Sequence, residues 1–213
     1  MDKLIIKKIL GEIVSSVEKE KDYLIELDGA MGDGDLGLTM YNGFKSLYEE
    51  VDNIDTEDLG MFVMKLGMKM NSVVPSTMGT LVSVCMIRGA KTLKGKSDVS
   101  LDDIIEFGEA SINGVMEVGK TKVGNKTMLD ALYPAVEGLK EGKAKGLSIE
   151  ESVEIAYERA VEGAELTKEL KSVHGRAAYY GDKSIGKPDP GATAVSFIVR
   201  GIKNAVSKVE ATN

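Results

Sequence analysis

Asp28, Asp33 and Asp35 place three carboxylates within eight residues, and Gly32, Gly34 and Gly37 are interleaved among them. Hard divalent cations bind through oxygen, and Mg²⁺ is usually held by a few carboxylates together with substrate phosphates and water. Glycine lets the backbone turn tightly and lets a ligand approach closely. The residues after Gly37 read as a helix, whose first N–H groups lack intrahelical acceptors and suit a phosphate. The chemistry on offer is a magnesium–nucleotide site on a loop between two helices. The competing reading is a ligand-free Asp/Gly turn, the commoner fate of such a string. Spacing removes two other motifs. An EF-hand loop starting at Asp33 needs Gly at its sixth position and Glu at its twelfth, where this chain has Leu38 and Phe44. A dinucleotide-binding glycine turn follows a strand, whereas Val17 to Leu27 is charged and helical in pattern.

The elements that must position these residues are helices. Leu4, Ile5, Ile9, Leu10, Ile13, Val14 and Val17 recur at spacings of three and four, the pattern of one helical face. Met40, Phe44, Leu47, Tyr48 and Val51 repeat it after the acidic loop. Asp55 is read as the cap of a third helix, with Glu57 and Asp58 in its first turn and Leu59, Phe62, Val63 and Leu66 on its inner face. A fourth helix follows Pro75. Ser100 with Asp103 opens a fifth, a sixth follows Lys126, and Ser148 with Glu151 forms a full capping box for a seventh. The last starts near Pro190. No strand alternation is evident. Eight helices with short joins predict an all-α, antiparallel up-and-down bundle or barrel, with residues 1–213 as a single domain. In that alternating order the loops at 28–37, 75–80, 119–126 and 175–190 fall at one end.

Composition narrows the function classes. With 43% hydrophobic residues, 5% aromatics and no Trp, the core must be built from aliphatic side chains and from some of the 11 methionines. A net charge of −7 argues against a nucleic-acid partner and against anionic membranes. No apolar run approaches membrane-spanning length, and the N-terminus lacks a signal-peptide pattern, which places the chain in the cytoplasm. Cys85, in the apolar run Leu81–Ile87, reads as a buried inert thiol. His174 is the sole histidine, so neither a Ser-His-Asp triad nor a multi-histidine metal site is easily built.

Three longer motifs go further. Asp28 with Gly32-Asp33-Gly34-Asp35-Leu36-Gly37, Gly124-Asn125-Lys126-Thr127-Met128-Leu129-Asp130-Ala131-Leu132, and Gly175-Arg176-Ala177-Ala178-Tyr179-Tyr180-Gly181 running to Asp189-Pro190-Gly191-Ala192 stand in order along the chain. Together they resemble the dihydroxyacetone kinase L-subunit (DhaL, DAK2) family. The resemblance implies that Asp28, Asp33 and Asp35 chelate one or two Mg²⁺ ions between the protein and the diphosphate of ADP or ATP. It implies phosphate contacts from Leu36 and Gly37 through the backbone, from Thr39, and from Ser76, Thr77 and Gly79 in a second loop. It places Gly119, Thr127 and Met128 around the adenine, Arg176 as a bidentate phosphate clamp, and Asp189 to Gly191 in a turn that closes over the nucleotide. The chain departs from the family at Asn125, which stands for Asp, at Pro75 and Met78 in the second loop, and at Leu36. An N-cap at Ser76, a core role for Met128, a first-turn surface role for Lys126, a structural ion pair for Arg176 and a solvated loop for His174 remain alternatives. The family implies phosphoryl transfer to dihydroxyacetone or a similar short ketose on a separate K-type subunit. A DhaM-like phosphotransferase protein, rather than free ATP, is the expected donor, and a homodimer is left open. A paralogue serving another short-chain ketose or sugar kinase, and a nucleotide-sensing regulator without turnover, are the rival readings.

Overall fold

The computed structural model describes residues 2–210, with side chains through Lys208. Nine α-helices follow one another among the described residues: α1 (Lys3–Lys19), α2 (Lys21–Gly29), α3 (Leu36–Glu50), α4 (Leu59–Val73), α5 (Thr77–Ala90), α6 (Leu101–Gly119), α7 (Leu129–Ala144), α8 (Ile149–Leu166) and α9 (Pro190–Glu210). There is no strand among the described residues. The sequence predicts eight helices. The ninth arises because the first helical stretch breaks at Glu20, whose backbone leaves the helical region and whose N–H turns back to Val17 and Glu18. Two expected caps form as full capping boxes. Ser100 and Asp103 close the start of α6, and Ser148 and Glu151 close α8. The cap of α4 differs from expectation. Asp58, not Asp55, accepts the N–H of Met61 at 2.9 Å and also that of Gly95 at 3.0 Å. With one oxygen on its own helix and one on a neighbouring turn, Asp58 satisfies two donors that Asp55 lies too far upstream to serve.

Sequential helices pack side by side, α3 on α4, α4 on α5, and so on to α8 on α9, while α9 returns to lie against α1 and closes the ring. Short joins between antiparallel neighbours produce this arrangement. The core has two continuous parts. One gathers Leu47, Phe62, Leu66 and Met70 from α3 and α4, and the other Val115, Leu129, Ala160 and Val195 from α6 to α9. Met78, Ile104 and Ile202 touch both parts and join them. Burying a side chain the size of Phe62, which is fully enclosed, is worth roughly 2–3 kcal/mol. Of the methionines, Met31, Met40, Met70 and Met128 are buried, while Met61, Met68 and Met116 are exposed. Cys85, expected to be buried, is half-buried, and loss of hydration pushes its thiol up to about 12, which favours the protonated form.

The glycine content has a packing cause. Pro134 lies inside α7 and has no N–H for the carbonyl of Asp130, four residues back. That carbonyl faces Gly163 of α8, where a Cβ would come within 2.1 Å of it. Only glycine allows this approach, and it locks α7 and α8 together beside the loop that precedes α7.

Candidate nucleotide and metal site

The end of α2, the starts of α3, α5, α7 and α9, and the connection between α8 and α9 converge on one cleft of about 510 Å³. A larger depression of about 730 Å³ lies at the opposite end, against α1, α3 and α9. Its Lys7 and Lys208 already pair with Asp52 and Glu12, and it holds none of the motif residues.

One wall of the cleft is the acidic loop. Asp28 closes α2, and its carbonyl accepts the N–H of Gly32 at 2.6 Å. Its Oδ2 accepts the N–H of Asp35 at 3.1 Å. A Cβ at Gly32 would sit 2.3 Å from Asp28 Oδ1, so glycine is required for the loop to fold over this carboxylate. As a result one oxygen from each of Asp28, Asp33 and Asp35 lies within 4.8 Å of the others. The Asp35 carboxyl is held above the usual carboxylate range, first by lost hydration and then by the charges of Asp33 and Asp28, with Arg176 opposing. Three convergent hard oxygens with mutual repulsion fit a Mg²⁺ ion, which would neutralise them and bridge them to phosphate. Asp35 also stands at the N-cap of α3, but its side chain accepts no N–H of the helix. The N–H of Thr39 is the first in α3 to reach back, to the Asp35 carbonyl. The N–H groups before it, at Leu36 and Gly37, therefore keep their capacity for an anion.

The second wall is the start of α5. Ser76 caps this helix by accepting the N–H of Gly79 at 3.0 Å, and together with Pro75, Thr77, Met78 and Leu81 it faces the cleft. The N-cap reading of Ser76 is thus realised, and its own hydroxyl proton remains available.

The third wall is a connection tied down by buried charge. Lys126 is not a surface residue. It is 3% exposed, has a left-handed backbone (φ 57°), and its Nζ donates to the carbonyls of Leu170 at 3.1 Å, Ser184 at 2.6 Å and Lys187 at 2.7 Å. All three ammonium donors are used. Loss of hydration lowers its pKa, and the charge of Asp189 opposes this. Asp130 accepts the N–H groups of Gly124 and Thr127 and so fixes the loop that presents Thr127 and Met128. Asp189 accepts the N–H of Ala192 at 2.7 Å at the start of α9. Its carboxyl is pushed up to about 7, chiefly by lost hydration, with Asp130 adding and Lys126 opposing. His174 is half-buried and hydrogen-bonded, with its Nε2 3.2 Å from the Asn125 amide. Arg176 forms an ion pair with Asp33 at 2.8 Å, across the cleft.

The structure brings Asp28, Asp33, Asp35, Leu36, Ser76, Thr77, Thr127, Met128, Arg176, Asp189 and Gly191 to the cleft lining. Gly37, Thr39, Gly79 and Gly119 are not among the residues that line it. Gly37 packs on the carbonyl of Lys21, Gly79 on Val74, and Gly119 beside Thr121 and Leu81. Met31, Ser172, His174 and Pro188 also line the cleft. Of these only His174, beside the Gly175-Arg176 pair, carried a signal in the sequence.

The family described as the DAK2 domain matches residues 30–204. The chain is 34% identical over 190 residues to the ADP-binding subunit DhaL of the PEP-dependent dihydroxyacetone kinase of Escherichia coli K12, covering 89% of each chain. It is 31% identical over 215 residues to the corresponding DhaL subunit of kinase 2 from Listeria innocua, covering 97% of this chain and 98% of that one. The fold is shared with the dihydroxyacetone kinase of C. freundii, with a TM-score of 0.75 at 19% identity in its native form. The complex of that kinase with AMP-PNP and Mg²⁺ gives a TM-score of 0.71 at 20% identity. This chain is covered to 96% in both, yet it spans only about a third of that longer kinase, 35% and 34%. No described helix is long and apolar enough to cross a membrane. Motif order, fold and these matches agree, and the chain belongs to the DAK2-domain family, among its DhaL-type members.

Proposed function

We propose that this chain is the nucleotide-binding subunit of a dihydroxyacetone-type kinase. It holds Mg·ADP or Mg·ATP in the cleft and delivers the phosphoryl group to a short ketose carried by a separate K-type subunit in the cytoplasm. The observation that carries this reading is the convergence, on one cleft, of three mutually repelling carboxylates and the uncapped start of α3. Asp28, Asp33 and Asp35 would hold the metal, and the metal's chemistry is to offset charge on the phosphates. Leu36 offers a backbone donor, while Ser76 and Thr77 offer hydroxyls. Thr127 and Met128 present a mixed polar and apolar surface suited to a base. Phosphoryl transfer asks little of the protein beyond positioning and charge neutralisation. Substrate activation is then the task of the partner. The cleft's only imidazole, His174, is engaged by Asn125. The likeness to PEP-dependent DhaL subunits supports a DhaM-like phosphotransferase protein as donor, recharging ADP in place.

The test is the nucleotide content of protein purified without added nucleotide, followed by calorimetry with Mg²⁺. Near-stoichiometric ADP that survives dialysis is the expected result. An empty protein that binds Mg·ATP would replace the resident coenzyme with exchanging ATP. A protein that binds neither nucleotide would overturn the reading.

A further inference from the structure

Asp33 has two claims on it. It belongs to the carboxylate triad, and its Oδ2 also accepts from Arg176 Nη2 at 2.8 Å. An oxygen engaged by a guanidinium is not free for a metal ion. The pair is open to solvent, with side chains 66% and 45% exposed. Such a pair shifts an equilibrium by at most about fivefold, so it occupies the carboxylate without sealing it. Arg176 opens a short 3-10 helix that runs to Ser184 and is interrupted at Gly181. Gly175 and Gly181 have φ of 63° and 55°, in the region that favours glycine. No atom lies within 4 Å of a Cβ placed on Gly175, so its glycine serves the backbone and not the packing. Between them Tyr179 is 92% exposed. Outside this span the connection is anchored, since Lys126 holds the carbonyls of Leu170, Ser184 and Lys187. Arg176 thus stands at the exposed start of a short helical segment whose far end is anchored, with its cation resting on the triad.

We propose that Arg176 is a resident counter-ion: it neutralises Asp33 in the metal-free protein, competes with metal for that carboxylate, and is released toward the phosphates as metal and nucleotide enter. This rests on the reading of the cleft as a metal–nucleotide site. It gives one residue opposite effects on two ligands. Arg176 weakens the binding of metal alone and strengthens the binding of metal with nucleotide.

The experiment uses nucleotide-stripped protein and Mn²⁺ alone as the probe, with free Mn²⁺ measured by electron paramagnetic resonance. Mg·ADP binding is measured in parallel by calorimetry. Arg176→Gln is expected to bind Mn²⁺ about threefold to fivefold more tightly than the wild type and Mg·ADP about tenfold more weakly. Arg176→Lys, which keeps the charge, is expected to stay near the wild type for Mn²⁺. Equal or weaker Mn²⁺ binding by Arg176→Gln, including none detectable in either protein, overturns the counter-ion role. A gain in Mn²⁺ affinity with unchanged Mg·ADP affinity overturns the release to phosphate. Wild-type protein that fails to bind Mg·ADP sinks the underlying reading of the cleft, which is a separate result.

Discussion

Two dense groups of charge face the same cleft and are built in opposite ways. Around Lys126 each charged group has its own partners, although the buried Ser172 hydroxyl nearby has none among the described residues. Its ammonium uses three carbonyls, Asp130 takes two backbone N–H groups, and Asp189 takes the N–H of Ala192. Around Asp28, Asp33 and Asp35 the carboxylates face one another; Asp28 accepts the N–H of Asp35, and among the described residues Arg176 is the one cation paired with them. The first group is satisfied without any ligand and is therefore architecture. The second keeps like charges together with one cation beside them, and it is the group to which the proposed function gives the metal. Residue type alone does not separate them, because both are drawn from Asp and basic side chains. Completeness of partnering does.

The contrast makes predictions that can break it. Lys126→Met should cost about 3 kcal/mol or more of folding stability, because it strands three buried carbonyls. Urea unfolding with an unchanged slope would measure this, and a loss below about 1 kcal/mol would mean the group is not structural. Asp35→Asn should do the reverse. Mg·ADP affinity should fall by about a hundredfold or more, while stability stays within about 0.5 kcal/mol. A large loss of stability here would erase the distinction between the two groups. The smallest effect sharpens the account of the closed group. The Asp189 carboxyl is raised to about 7, so its ionised form is disfavoured in the folded chain. The penalty is absent below the unfolded value of 3.8, grows as pH rises, and is complete above about 7. Asp189→Asn should therefore gain stability over the wild type as pH climbs from 4 to 7. The gain should be about 1 kcal/mol, because Asp189 keeps some solvent contact. Thermal melts of nucleotide-free protein across that range would show it, and a gap that narrows with rising pH would contradict it.

The open group was far more legible in sequence than the closed one. The acidic loop needs seven residues of chain to bring Asp28 to Asp35, so its chemistry is written locally. Helix periodicity and the boxes at Ser100 and Ser148 are equally local, and they gave the bundle. Lys126 read as a surface residue because its acceptors lie 44, 58 and 61 residues downstream. Nothing near it in sequence announces them. Asp55 and Asp58 are both plausible caps by type. The choice fell to Asp58 because Gly95, 37 residues away, offers its second oxygen a donor. Gly37, Gly79 and Gly119 carried a motif signal, yet their positions are set by neighbouring helices and not by the cleft. Local spacing thus found groups that line the cleft, and long-range contacts decided what holds them in place.

The closure of α9 against α1 has a consequence for biosynthesis. Ser16 on α1 donates to the carbonyl of Phe197 on α9, and Arg200 reaches back to Ser16 and Glu20, so this seam joins stretches of chain about 180 residues apart. Contacts of such separation form late, and α1 leaves the ribosome long before its neighbour exists. The start of the same helix and the residue before it bring Gly191 and Asp189 to the cleft. A chain interrupted before α9 would thus lack both the seam and one wall of the cleft, and competence to bind would await the synthesis of α9.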